Sequence, residues 1–244
     1  MHAHIRLLLL LTLLVRGGMF FAYPLQVRVD DNQKAQRYLI DSLLEGDLQI
    51  GNVRYGTGYP LFIAPFAAAG QRFGPLDERF VLLVQVAVSA LIPFLLYDLV
   101  RRNHSRRAAL VVALLALFDP HGLQWAHLSL PVWLVALCYT LSLWIVDRAM
   151  QKDMRAGLFP VNGIILGMGV LARLTLAPLV AFNGLLLLFA RGFSMRRRLT
   201  ALLALGSGFI LTLACYALLI HYPSTGTFRP SCVGGHNFLE SVLE

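Results

Sequence analysis

From residue 80 onward the sequence alternates long apolar runs with three short basic clusters: RRNHSRR at 101–107, DRAMQKDMR at 147–155 and RGFSMRRR at 191–198. This alternation constrains the fold more than any single motif. About 20 apolar residues suffice for a helix to cross a hydrocarbon core of about 30 Å. Inside that core every backbone polar group must be satisfied within the protein, which favours membrane helices. Only 14% of the chain is charged and 57% is hydrophobic, whereas an ordinary globular domain carries roughly 25% charged residues. A soluble fold of 244 residues could not hide so much apolar surface. The net charge of +8 sits in clusters between apolar runs. That is the pattern of membrane topology, not of nucleic-acid binding. The expected partner is the lipid bilayer, with no nucleic acid.

The runs give spans at about 7–26, 80–99, 108–124, 128–146, 158–172, 174–190 and 199–220. Residues 7–15, LLLLLTLLV, have the look of a signal-peptide core, and cleavage after Ala22 is the alternative. Apolar character resumes after Arg16-Gly17-Gly18, so a retained first span is preferred. Basic clusters belong on one side of the membrane. An even number of crossings must therefore separate them, and the breaks at Asp119-Pro120-His121-Gly122 and at Arg173 become hairpin tips. Counted this way, the inner segments carry 12 basic and three acidic residues, and the remainder carries nine basic and 10 acidic. The N-terminus is expected on the cytoplasmic side, with loop 27–79 and tail 221–244 outside. In the loop, Tyr38, Leu39, Leu43 and Leu44 at helical spacing predict a short surface helix over 33–45, capped by Asp31 or Asn32 and ended by Gly46. Gly58 and Pro60 introduce a second short apolar helix. The expected fold is an all-α membrane protein of about seven transmembrane helices, with short interfacial helices in a long first extracytoplasmic loop. Residues 1–244 form one transmembrane unit without internal repeats.

Three cysteines without a CxxC pair, and seven scattered histidines, supply no metal-ligand set. The polar groups on the outer side are more informative. Asp30 and Asp31 follow the first span, and adjacent carboxylates repel, which eases proton uptake by one of them. Either could act as a general base toward a hydroxyl or amine; equally, one could cap the following helix while the other is solvated. Arg173, at a hairpin tip, suits a lipid phosphate or pyrophosphate, or it snorkels to headgroups. Arg16 either pairs with Asp30 or Asp31 or snorkels, a structural role in both cases. Asp119 reads as a turn residue before Pro120, with a carboxylate facing the site as the alternative. His127 reads as interfacial. The tail GTFRPSCVGGHNFLE places Arg229, His236 and Asn237 around Gly234-Gly235, as a substrate loop or a plain loop. Trp125, Trp133 and Trp144 fit interface positions.

The order of these features resembles the GT-C class of polytopic glycosyltransferases, which includes dolichyl-phosphate-mannose-dependent mannosyltransferases and bacterial lipid A aminoarabinose transferases. The stretches that carry the likeness are Arg16 followed by Asp30-Asp31; YLIDSLLEGD with TGYPLFIAPF; VQVAVSALIPFLLYDLVRR; and GIILGMGVLARLTLAPLV, with its arginine at Arg173. The tail around Gly234-Gly235-His236-Asn237 is also similar. The resemblance implies a sugar donor linked to a polyprenyl phosphate, an acceptor of unknown identity and inverting transfer on the extracytoplasmic face. It also implies an aspartate base, here Asp31 or Asp30. Arg173 and Arg229 would bind the lipid phosphate, and Tyr59, His236 and Asn237 would belong to the substrate loops. No cofactor is required by any motif; a divalent metal is compatible with the chemistry but unsupported by a ligand set. The likeness suits a bacterial inner membrane. Leu130 stands where many relatives carry an acidic residue, and relatives usually continue with further spans. The chain is therefore expected to be the N-terminal seven-span core. The rival readings are a lipid or solute transporter, which would line a path through the bilayer with charges, and a non-catalytic scaffold.

Overall fold

The computed structural model describes residues 2–22, 31–46, 57–71, 78–126, 131–151, 157–190 and 192–225. Among these residues the chain is helical and has no strand, the all-α membrane class predicted above. The first helices are α1 (His2–Ala22), α2 (Asp31–Glu45), α3 (Gly58–Gln71) and α4 (Glu78–Ser89). Next come α5 (Leu91–Asn103), α6 (Arg106–Leu117), α7 (Pro120–Ala126) and α8 (Val132–Gln151). Then follow α9 (Leu158–Ala172), a 3-10 turn at Leu174–Leu176, α10 (Ala177–Phe189) and α11 (Met195–Tyr216). A π-helical segment, Ala217–His221, and the short α12 (Tyr222–Thr225) extend α11.

Among the described residues three helical stretches are long and apolar enough to cross a membrane: Phe80–Asn103, Val132–Gln151 and Met195–Ile220. Leu10–Met19, Gly58–Gly70, Leu158–Ala172 and Leu174–Phe189 are apolar but shorter. The stretch read from sequence as a span over 108–124 is built from two helices. The 12 residues of α6 rise only about 18 Å, and the chain then breaks at Phe118-Asp119 before α7. Leu203, Ile210, Leu211 and Leu219 on the last helical stretch are strongly exposed. In water such a face would be a liability, whereas lipid solvates it without cost.

Local chemistry sets the helix ends. Ser105 and Ser194 cap α6 and α11, their Oγ atoms accepting from the N–H groups of Ala108 and Arg197. Gly46 closes α2 with φ of 77°, the left-handed conformation that glycine adopts without a Cβ penalty. Asp119 Oδ2 accepts from Gly122 N–H at 2.8 Å, the turn role expected for it, and Pro120 at the first position of α7 needs no partner for its nitrogen.

The core is organised around α9. At Gly163 a Cβ would strike the backbone of Leu205 and Phe209, and at Gly208 it would strike Pro160. Gly167 meets Thr212 at 2.7 Å from its would-be Cβ. The paired positions rise together along both helices, so α9 and α11 run parallel and α10 must return between them. Small residues that let backbones touch are how membrane helices gain dispersion contact when lipid offers no hydrophobic drive. Asn183 on α10 donates to Ser142 Oγ on α8 at 2.7 Å, with both side chains buried.

At one end of the bundle the first two basic clusters meet. Asp98 on α5 accepts from Arg101, Arg102 and Trp144 Nε1 and lies 3.5 Å from Arg148 on α8. Asn103 donates to Asp147 at 2.8 Å. Between α10 and α11, Arg198 donates to the carbonyls of Leu188 and Phe193. Replacing Gly163 or Gly208 with leucine should force α9 and α11 apart and destabilise the bundle by roughly 1–3 kcal/mol or more. Thermal denaturation in detergent checks this, and an unchanged midpoint for both variants would contradict the packing described.

Candidate functional site

The site begins with Thr57-Gly58-Tyr59-Pro60. Thr57 and Gly58 are buried, and Leu61 N–H bonds Thr57 O at 3.1 Å, starting α3. A Cβ on Gly58 would meet the backbone of Met168, Leu171 and Ala172. The first turn of α3 therefore rests directly on the last turn of α9. The next residue along α9 is Arg173, where the backbone becomes extended at φ −160° and ψ 122°. Its N–H still bonds Gly169 O at 2.8 Å, and its carbonyl accepts from Leu176 N–H at 3.1 Å. The Arg173 side chain is exposed, and among the described residues no carboxylate pairs with it. The structure thus brings Arg173 and the segment that carries Tyr59 to one rim.

Tyr59 turns inward. It is fully buried, its hydroxyl donates to Gln85 Oε1 on α4 at 3.0 Å, and its ring meets Trp133 edge-on with centroids 6.4 Å apart. Phe62 also packs edge-on against Trp133, at 5.7 Å. The interface reading of Trp133 is therefore corrected: it is 3% exposed, because the aromatic residues of α3 cover it. Trp144 instead lies among arginines at the opposite, basic end. Trp125 and His127 lie outside the residues whose side chains are described.

One helical turn along α4 from Gln85, Ser89 Oγ accepts from Arg16 on α1 at 2.9 Å and donates to Val86 O at 2.8 Å. Arg16 is 2% exposed, and among the described residues its Nε has no acceptor. Among the described residues, Asp119 is the carboxylate whose charge acts on it. Arg16 therefore does not snorkel to headgroups; it points into the bundle, where a charge is costly and is usually retained for a purpose. Gln85 and Ser89 were not singled out from the sequence. The signal for both was a polar pair at i, i+4 within FVLLVQVAVSA, the spacing that puts them on one helix face.

The helix α2 packs on α3, with Leu39 buried and Ile40 sharing a core cluster with Tyr59 and Ile63. Asp31 is the first residue of this helix. Asp30, Arg229, His236 and Asn237 lie outside the described residues. Among the described residues no group of His, Cys, Asp or Glu side chains is arranged to hold a metal ion.

A family model for dolichyl-phosphate-mannose-protein mannosyltransferase matches residues 60–221, well over half of the chain. The chain belongs to this family. No curated protein and no solved structure matches it. The match identifies this mannosyltransferase-family chain as a membrane protein of GT-C glycosyltransferase type. It begins at Pro60, inside the buried turn described above, and takes in Arg173 and the whole of α9 and α11.

The contact between α3 and α9 has a direct test. In this mannosyltransferase-family chain Gly58→Ala should push α3 off the end of α9 and lower the melting midpoint. Tyr59→Phe, which removes the hydroxyl and its bond to Gln85, should cost about 1 kcal/mol. Thermal denaturation of both variants in one detergent checks the order. A Gly58→Ala protein as stable as the parent would show that the two backbones are not in contact.

Proposed function

We propose that the chain is the core of a membrane glycosyltransferase that moves a sugar from a polyprenyl-phosphate carrier to an acceptor at the extracytoplasmic face. The observation that carries the reading is the rim where the buried Gly58 turn meets α9 and leaves Arg173 exposed with no carboxylate paired to it among the described residues. The family match supports the reaction type. A guanidinium at the edge of a bilayer is suited to the phosphate of a lipid whose tail stays among the helices.

In the proposed reaction the acceptor O–H gives its proton to Asp31 or Asp30. The acceptor oxygen forms a bond to the anomeric carbon as the carbon–oxygen bond to the lipid phosphate breaks. A single displacement inverts the anomeric configuration. The leaving group is the polyprenyl phosphate anion, and Arg173, joined by Arg229 from the tail, offsets its growing charge. Tyr59 shapes the floor of the site from within the core, and His236 and Asn237 are assigned to the acceptor side. The alternation of basic clusters supports the outward placement of this rim.

A second reading, transport of a lipid-linked sugar, draws on Arg16, a charge held inside the bundle. Liposomes loaded with labelled polyprenyl-phosphate sugar separate the two, since a transporter moves the label across the bilayer without an acceptor.

For the glycosyltransferase, membranes containing the chain are supplied with labelled polyprenyl-phosphate mannose and an acceptor extract. The Asp30→Asn/Asp31→Asn double variant should abolish transfer while inserting normally, and Arg173→Ala should lower it on the order of a hundredfold, as loss of one charge-stabilising donor does. Undiminished transfer in the double aspartate variant would falsify the assignment of the base.

A further inference from the structure

The basic end of the α5, α6 and α8 assembly carries a feature that the glycosyltransferase reading does not use. Among the described residues five arginines gather there, Arg101, Arg102, Arg106, Arg107 and Arg148, against two carboxylates, Asp98 and Asp147. Both carboxylates are already engaged. Asp98, with its side chain 7% exposed, faces Arg101, Arg102 and Arg148 and accepts from Trp144 Nε1. Asp147 lies 3.6 Å from Arg102 and accepts from Asn103 and Gln151. Three of the guanidiniums are further held over aromatic rings: Arg101 over Tyr97 at 5.9 Å, and Arg102 and Arg148 over Trp144 at 5.5 and 4.6 Å. Their order is therefore established before any ligand arrives, which lowers the entropy lost on binding.

Arg106 and Arg107 are exposed in the first turn of α6, and among the described residues no carboxylate pairs with them. The rest of α6 identifies what they face. Arg107, Val111, Leu115 and Phe118 follow one another at i, i+4, i+8 and i+11, so they form one stripe of the helix. All four are exposed, Val111 at 56%, Leu115 at 68% and Phe118 at 57%. A guanidinium at the head of an apolar track about 16 Å long fits an amphiphile. A soluble polyanion would use the arginines alone and make no contact with the track, which bulk lipid would cover.

We infer that this end of the bundle binds an anionic phospholipid of the leaflet it faces, with the headgroup phosphate on Arg106 and Arg107 beside Arg101 and Arg148, and an acyl chain along the outer stripe of α6. Basic residues beside membrane helices recognise anionic headgroups with about 1 kcal/mol for each Lys or Arg near the surface. The proposal does not depend on the chemistry at the Arg173 rim.

Native mass spectrometry of the full chain, titrated with phosphatidylglycerol and with phosphatidylcholine of the same acyl chains, tests it. Phosphatidylglycerol should be retained preferentially. Arg106→Gln/Arg107→Gln, two surface changes, should weaken its binding by roughly ten- to thirty-fold and leave phosphatidylcholine binding unchanged. Val111→Ser/Leu115→Ser should weaken both lipids, and Arg173→Gln should affect neither. Equal affinity for the two lipids overturns the proposal. So does a double arginine variant that keeps its preference, and so does displacement of the bound lipid by inorganic phosphate or polyglutamate, which would assign the cluster to a soluble anion.

Discussion

The geometry of the bundle depends on how closely α9 is approached. Its neighbours touch it backbone to backbone, α11 at Gly163 and Gly208 and α3 at Gly58. In a bilayer no apolar surface is driven from water between helices, so contact has to be won by fit. With α11 laid along its length and α3 seated on its last turn, the position of Arg173 follows from the packing of the helix beneath it. The unwound backbone at Arg173, followed by a 3-10 turn, then redirects the chain into α10. The rim is fixed from below by dispersion and small residues, with polar chemistry added at its edge.

The two ends of the bundle handle charge in opposite ways. At the basic end, two carboxylates and two aromatic rings engage Arg101, Arg102 and Arg148, and the Asn103 amide donates to one of those carboxylates, Asp147. At the other end the Arg173 guanidinium stands exposed. A saturated network rigidifies, and a charge without a partner is available to a ligand. Between them runs a sparse polar line through the interior, Arg16 to Ser89 on α4 and, one turn along, Gln85 to Tyr59. It joins α1, α4 and α3 with side-chain bonds inside a mostly apolar core.

Much of this was legible in the residues. The apolar runs and basic clusters predicted an all-α membrane protein, Gly46 marked the end of α2, and the order of motifs pointed to the family that the match establishes. Side-chain direction was far less legible. In a water-soluble helix the apolar stripe reveals the inner face, but a membrane helix is apolar all round and the stripe vanishes. Trp133 could therefore be read as interfacial although α3 buries it, and Arg16 as snorkelling although it turns inward to Ser89. The break at Asp119 was visible through Pro120, whereas its division of one predicted span into α6 and α7 depends on how the neighbouring helices accept a helix too short to cross alone.

The bond between Arg16 and Ser89 also bears on biogenesis. The two residues are 73 positions apart, and a ribosome working at about 5–20 residues per second needs roughly 4–15 s to supply the second after the first. Throughout that interval the first helix has left the exit tunnel with a guanidinium on its flank and no serine to receive it. Released freely into lipid, it would strand a charge in hydrocarbon. The early segment must therefore linger at the insertion machinery, in contact with water or protein, until the later helix emerges and the two can be handed over as a pair.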